Sequence, residues 1–453
     1  MKKWLYPFVL LISLSCNAQE INDIKNREIV FQSVTVIPMD SEKVLENQTV
    51  VISNGTIKAI GDPDKIKYSN NALLIDAKGK YLIPGLAEMH AHVPPVDDIE
   101  PMKEVLLLFA ARGVTTIRGM LGHPMHLELR SKIKSGEILG PHFITSGPSF
   151  NGNSVQSPQQ GSSMVREQKE AGYDFLKLHP GLTRENFDAI AKTAKEVGIP
   201  FAGHVSFDVG VWRAIEAGYA TIDHLDGFVE SLVPDIKTIP EQQIGSFAMF
   251  VADRADTSKI PQLMKALRDH NIWVVPTQAL AERWFAPVDA ATLSNEPEMI
   301  YMAKNVLSGW VNTKTNLMKH PSYNADKINR YIQLRRKLIY ECNKNGVGLL
   351  LGSDAPQVFD VPGFSVHHEL KYMVDAGLTP YQALRTGTVN VARFLNKPNA
   401  GVIKAGAAAD LVLLNGNPLT NINETKNIEG VVLNGRWLPK QWIDSTLKQL
   451  EKR

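Results

Sequence analysis

Eight short apolar runs, each followed by a stretch of helical patterning, restrict this chain more than any other feature. They are the end of "YLIPGLAEMHAHV", then "TTIRGM" (115–120), "HFITSG" (142–147), "FLKLH" (175–179), "FAGHV" (201–205), "TIDHL" (221–225), "WVVPTQ" (273–278) and "GLLLGSD" (348–354). Runs this short suit buried strands, and a parallel strand needs a helical crossover to return to the same end of its sheet. Between them, "TRENFDAIAKTAKEVG" offers Thr183 as helix N-cap and Gly198 as stop. Eight strand–helix units predict an α/β fold: a parallel (β/α)8 barrel with its helices outside and its active face at the C-terminal strand ends. A segment from about Leu280 to Asn345 is too long for a bare loop and is expected to hold helices that cap the barrel mouth.

The two ends of the chain have a different texture. "IVFQSVTVI" largely alternates, and "QTVVISNGTIKAIG" reads as two strands joined at Asn54-Gly55. "GVIKAGAAADLVLLNGNPL" and "IEGVVLNGRWL" repeat the habit, with Asn434-Gly435 as a second hairpin signal. One β domain built from both ends is the economical reading. The expected layout is a targeting segment at 1–19, β-domain parts at 27–83 and 396–440, a barrel over 84–395 and a C-terminal tail at 441–453.

The first residues set two lysines before an apolar stretch from Trp4 to Leu14. That order is a secretory signal, and the stretch is too short to span a bilayer. Ser15-Cys16 offers Cys16 for lipidation; cleavage after Ala18 is the alternative. The first reading makes the chain an exported bacterial protein, periplasmic or held at the outer membrane only by a lipid on Cys16. Two cysteines cannot build a disulfide framework. A formal net charge of +2, with no basic run, gives no case for nucleic acid. The chain also lacks the G-x-S-x-G, Walker A and G-x-G-x-x-G patterns.

The chemistry gathers at the strand ends. His90 and His92 are two apart, so on a strand their imidazoles share a face. His204, His224 and Asp354 each close an apolar run. One such histidine is ordinarily structural, but five such residues in equivalent places point to a metal site, in which His and carboxylate ligands suit Zn²⁺, Mn²⁺, Fe²⁺ or Co²⁺. Lys177 lies mid-strand, where a buried cation is costly; it either pairs with an acid at the strand end or is modified into an anionic ligand. His123, His126 and Arg118 lie near the end of the second strand, with surface or helix-start roles as the default. His367 and His368 are adjacent on a helical pattern and cannot easily chelate one ion.

"YLIPGLAEMHAHV", "AGHV", "DHL", "LGSDA" and "AADLVLLNGNPL" together resemble the metal-dependent amidohydrolase superfamily. Within it the chain is similar to the imidazolonepropionase-like and prolidase-like (Xaa-Pro, Xaa-Arg dipeptidase) branch, from about residue 28 to 440. The resemblance implies a (β/α)8 barrel with a small β-sandwich made from both ends. It implies that His90 and His92 bind the more buried of two metals, most simply zinc, and that His204 and His224 bind the other. It implies a carboxylated Lys177 bridging the two, and Asp354 on the first metal as proton shuttle. The reaction would be attack of hydroxide, generated between the metals, on an amide or dipeptide C–N bond. The family dipeptidases usually have Asp where Glu88 stands, and His179 has no regular counterpart. Substrate contacts are open, with His123 and His179 as weak candidates. Two alternatives stand beside this reading: a mononuclear cyclic amidohydrolase or deaminase, and a binding lipoprotein on an inactive barrel. A homo-oligomer is compatible with all three.

Overall fold

The computed structural model describes residues 27–452, so the targeting segment and Cys16 lie outside the described residues. The chain begins with five strands: β1 (Ile29–Val36), β2 (Leu45–Ser53), β3 (Thr56–Gly61), β4 (Leu73–Asp76) and β5 (Tyr81–Pro84). β2 and β3 are antiparallel around Asn54-Gly55, both with positive φ, as a two-residue hairpin turn requires.

Two parallel arcs follow. β6 (Leu86–Ala91), β7 (Val114–Gly119) and β8 (His142–Thr145) form one. β9 (Leu176–Leu178), β10 (Phe201–Gly203), β11 (Thr221–Asp223) and β12 (Trp273–Val275) form the other. A parallel bridge between Ser146 and Phe175 joins them on one side. On the other side residues 348–354 close the ring. Leu350 N–H donates to Val274 O at 2.9 Å, Met89 N–H to Leu351 O at 2.8 Å and Asp354 N–H to His90 O at 3.0 Å. This eighth segment is bonded on both flanks yet too irregular to form a ladder. Gly352 explains why it fits: a Cβ there would lie 2.5 Å from Val275 Cγ1 and 2.9 Å from His90 N.

The barrel helices follow their sequence signals. Thr183 Oγ1 accepts from Asn186 N–H at the start of the Arg184–Val197 helix, and Gly198 ends it in the left-handed region. That helix buries Phe187, Ile190, Ala191 and Ala194 in the main core. The long segment contains the helices Gln278–Trp284, Ala290–Ser294, Lys304–Met318 and Ala325–Lys344. The last buries Tyr331, Leu338 and Ile339 in the main core, so it is a barrel helix. The middle of the segment packs Trp310 and Leu307 with Val358 and Phe359 in a satellite core. Among the described residues, no helix is long and apolar enough to cross a membrane.

The chain then returns to the first sheet through β13 (Leu411–Leu414), β14 (Ile428–Leu433) and β15 (Arg436–Pro439). The order is β15-β14-β13-β5-β1-β2-β3, with β4 also beside β1. Phe31 of β1 and Trp437 of β15 have ring centroids 5.3 Å apart. In a flat sheet, strands that far apart in order would be separated by about 19 Å. The sheet therefore folds over on itself, and the sandwich is one continuous hydrogen-bonded sheet around an apolar filling from both ends. The expected tail is ordered: a Lys440–Leu450 helix buries Ile443, Leu447 and Leu450 in the main core.

Candidate functional site

The C-terminal strand ends converge on a cavity of about 400 Å³ lined by His90, His92, Lys177, His179, His204 and Asp354, among others. The strand pleat turns Glu88, His90 and His92 to one face. Lys177 is fully buried at the middle of β9. Gly203 precedes His204 with φ 119°, and a Cβ there would sit 2.5 Å from Leu178 O. The glycine of "AGHV" is thus needed for close strand packing at the point where the chain turns His204 inward. His224 and Asp354 stand at φ 63° and 72°, and Thr277 at φ 46°. Left-handed backbone at three non-glycine positions in and behind the histidine cluster is strain that the surrounding packing must hold.

The side chains are in mutual contact. His92 Nε2 lies 2.6 Å from Asp354 Oδ1, and His90 Nε2 lies 3.3 Å from the same oxygen. Lys177 Nζ is 3.3 Å from His90 Nε2. His224 stacks on His204 with ring centroids 4.4 Å apart and lies tilted at 60° against His90, also at 4.4 Å. Single ligand atoms of His90, His224 and Asp354 all fall within 4.8 Å of one another. His179 stacks on His204 at 5.0 Å, which puts it at the cavity wall.

Three of the imidazoles are fixed from behind by oxygen atoms. His90 Nδ1–H donates to Asp223 Oδ2 at 2.8 Å, and His204 Nδ1–H to Asp226 Oδ2 at 3.0 Å. His224 Nδ1 bonds to Thr277 Oγ1 at 2.9 Å. Nε2 is then the nitrogen that each ring could turn to a metal, the usual arrangement of metal-ligating histidine, and that of His90 already lies against Lys177 and Asp354. His224 Nε2 is buried and has no hydrogen-bond partner among the described residues. An orphaned lone pair in a dry site is costly, and a cation would satisfy it. The donor set therefore fits divalent ions.

Burial and the Lys177 charge hold the imidazoles of His90, His204 and His224 in their neutral, electron-donating form, His204 as low as about 3. Burial also pushes Lys177 down to about 8, against the pull of Asp223 and Asp354. Burial pushes the Glu88 carboxyl up to about 8, opposed by its bonds to Ser353.

Of the residues that organise the site from behind, Asp223 and Arg335 were not singled out from sequence, whereas Glu88 was. Asp223 accepts from Arg118 as well as from His90, and Thr221 Oγ1–H donates to it at 2.6 Å. Arg335 donates to His224 O and Pro276 O, both at 2.7 Å, and so clamps two strand ends. Glu88 accepts from Ser353 N–H and Oγ–H, both at 2.7 Å, and from His90 N–H at 3.1 Å. It ties the first barrel strand to the eighth. The signal available for Asp223 was its place in "TIDHL", two residues after Thr221 on the same strand face.

Other candidates lie elsewhere. Arg118 is buried inside the barrel, bonded to Met89 O and Asp223, so neither a substrate contact nor a surface role fits it. His123 stands at a helix start, where its Nδ1 accepts from Met125 N–H, and it does not line the cavity. His126 is buried on Pro94 O. His367 bonds Thr425 and Arg112 O, and His368 pairs with Glu298 at 2.7 Å; neither faces the cavity.

Residues 81–438 match the amidohydrolase family. The chain belongs to that family. Other proteins resemble it in part. An enamidase of Eubacterium barkeri is 28% identical over 181 residues, which is 40% of this chain and 39% of the enamidase. Thus the alignment reaches well under half of that relative's length. Among solved structures, bottromycin amidohydrolase superposes with a TM-score of 0.71 at 20% identity, covering 97% of this chain and 94% of that one. A Xaa-Pro dipeptidase with bound methionine in its active site gives 0.65 at 20% identity, over 91% of this chain and 100% of the dipeptidase. At such identities these two structures establish this amidohydrolase's fold.

Proposed function

We propose that this amidohydrolase is a metal-dependent hydrolase that cleaves the C–N bond of a small amide or dipeptide. The observation that carries the reading is the trio His90, His204 and His224, each held at Nδ1 by an oxygen; His90 and His204 line one cavity with His92 and Asp354, and His224 packs against both of their rings. In this reading His90, His92 and Asp354 hold one divalent ion, and His204 and His224 the other, zinc being the simplest choice for such ligands. Bound ions would polarise the scissile carbonyl and make a water acidic enough to attack near neutral pH.

The chain's own groups do the rest. Asp354 takes the water proton and delivers it to the departing nitrogen, since an amine anion is a very poor leaving group. His92 Nε2 lies 2.6 Å from that carboxylate, close enough for the two to share one ion. Lys177, as a neutral amine, can add carbon dioxide with loss of a proton and so become the carbamate that would bridge two ions. A cavity of about 400 Å³ admits a small substrate and leaves little room for bulk water. Export and lipidation at Cys16 complete the proposal, with scavenged peptides or amides as substrates outside the cytoplasm.

The test is a screen of dipeptides, N-acyl amino acids and cyclic amides with zinc-loaded protein, with Asp354→Asn as the blank. Turnover above the blank, two ions per chain and loss of one in Lys177→Ala support the reading. One ion, unaffected by Lys177→Ala, supports a mononuclear centre. No turnover of any C–N substrate removes the hydrolase assignment.

A further inference from the structure

A second and larger cleft, about 950 Å³, adjoins the reaction cavity. The two share His204, Phe247 and Trp284. Phe247 forms part of the wall between them. Its ring is nearly parallel to that of His204, with centroids 6.0 Å apart and planes at 13°, and lies 5.5 Å from that of His224.

The backbone shows that this placement is enforced. Gly245, Phe247 and Ala248 all have positive φ, Phe247 at 52°. A bulky aromatic residue there is strained and persists only where its neighbours over-determine it. Here they do. Ile244, Ala248 and Met249 are buried in the main core, and Phe250 N–H donates back to Ile244 O at 3.0 Å. The ring is therefore anchored on the histidines and is not a loop side chain free to swing away.

Beyond Phe247 most of the surface the cleft presents is apolar, from Phe207, Trp212, Val233, Pro234 and Ile236, with Asp226, Glu230 and Lys237 among the charged residues that also reach it. Such a surface, open to a polar reaction centre, gains most by covering an apolar group carried by the reacting molecule. We propose that the cleft receives a bulky apolar side chain next to the scissile C–N bond, and that Phe247 is the specificity-determining residue at its entrance. This rests on the reading of the reaction cavity given above. The substrate class is then narrower: amides or dipeptides with a large aliphatic or aromatic residue on the His204 side. Each additional buried methylene should raise affinity about fourfold.

Calorimetry on zinc-loaded, full-chain Asp354→Asn measures this without turnover. The probes are the amides of N-acetylglycine, N-acetylalanine, N-acetylleucine and N-acetylphenylalanine. Affinity should rise at least tenfold from glycine to leucine or phenylalanine. Phe247→Asn, which tolerates the left-handed backbone, and Ile236→Lys, on the far wall, should each reduce the phenylalanine-to-glycine ratio at least fivefold. A flat series, or a preference surviving both variants, overturns the proposal. Turnover by the wild-type protein with a flat series rejects the cleft and spares the hydrolase. A rising series with no turnover does the reverse.

Discussion

Asp223 does not itself line the cavity, yet its one carboxylate answers both the His90 Nδ1–H and the Arg118 guanidinium inside the barrel. Replacing it by Asn leaves a buried arginine without its counter-charge. Breaking such a pair from one side costs about 3–5 kcal/mol. Asp223→Asn should therefore shift the urea midpoint sharply, with the slope unchanged. Asp354 answers to a different measurement. If it moves the proton, Asp354→Asn should lower kcat by about 10²–10⁴ while the metal content per chain, read by mass spectrometry, falls far less. Equal loss of both would make it a ligand and nothing more. The strand period made the histidines readable in sequence, because it is local. It could not reveal that Asp223, Asp226 and Thr277 hold three of those rings, since the partners come together only when the strands are in register.

At the scale of single elements, the Arg184–Val197 helix is the best case of local control. Its cap, apolar face and glycine stop all lie within one short window. Thr183→Ala should cost about 1 kcal/mol by equilibrium denaturation. The eighth barrel segment is the contrary case. "GLLLGSD" is apolar enough for a strand, but its irregular backbone follows from Gly352 packing against Val275 and His90, which no local pattern encodes. A link between elements also carries a pH dependence. His142, at the start of β8, donates through Nε2–H to Asp410 Oδ2 at 2.8 Å, just before β13. The Asp410 hydrogen bond raises the His142 pKa above its usual value. Folding then favours the protonated form. The contribution is fully present below the unfolded value of about 6.5 and is lost as pH rises through the higher folded value. The pair is half-exposed, so the effect is small. Tm should drift down across that window, and His142→Gln should flatten the drift.

The whole molecule depends on a chain that leaves its first sheet, builds a barrel and comes back. β13 sits between β5 and β14, so the returning strand completes hydrogen bonds that the first part cannot make alone. It also brings Trp437 onto Phe31. Deleting residues 411–453 should expose an unpaired β5 edge and an open apolar face. The expected result is loss of a single cooperative calorimetric transition and aggregation; a truncated chain that unfolds cooperatively near the wild-type Tm would contradict it. Local periodicity, caps and turn residues determined the strand–helix alternation, both hairpins and the set of polar residues at strand ends, because each is decided within a few neighbours. The folding-over of one sheet, the carboxylates behind the imidazoles, the Arg335 clamp and the strained Phe247 between two cavities were decided by tertiary structure alone. Those features join residues far apart in sequence, and their energy comes from burial that exists only after the barrel has closed.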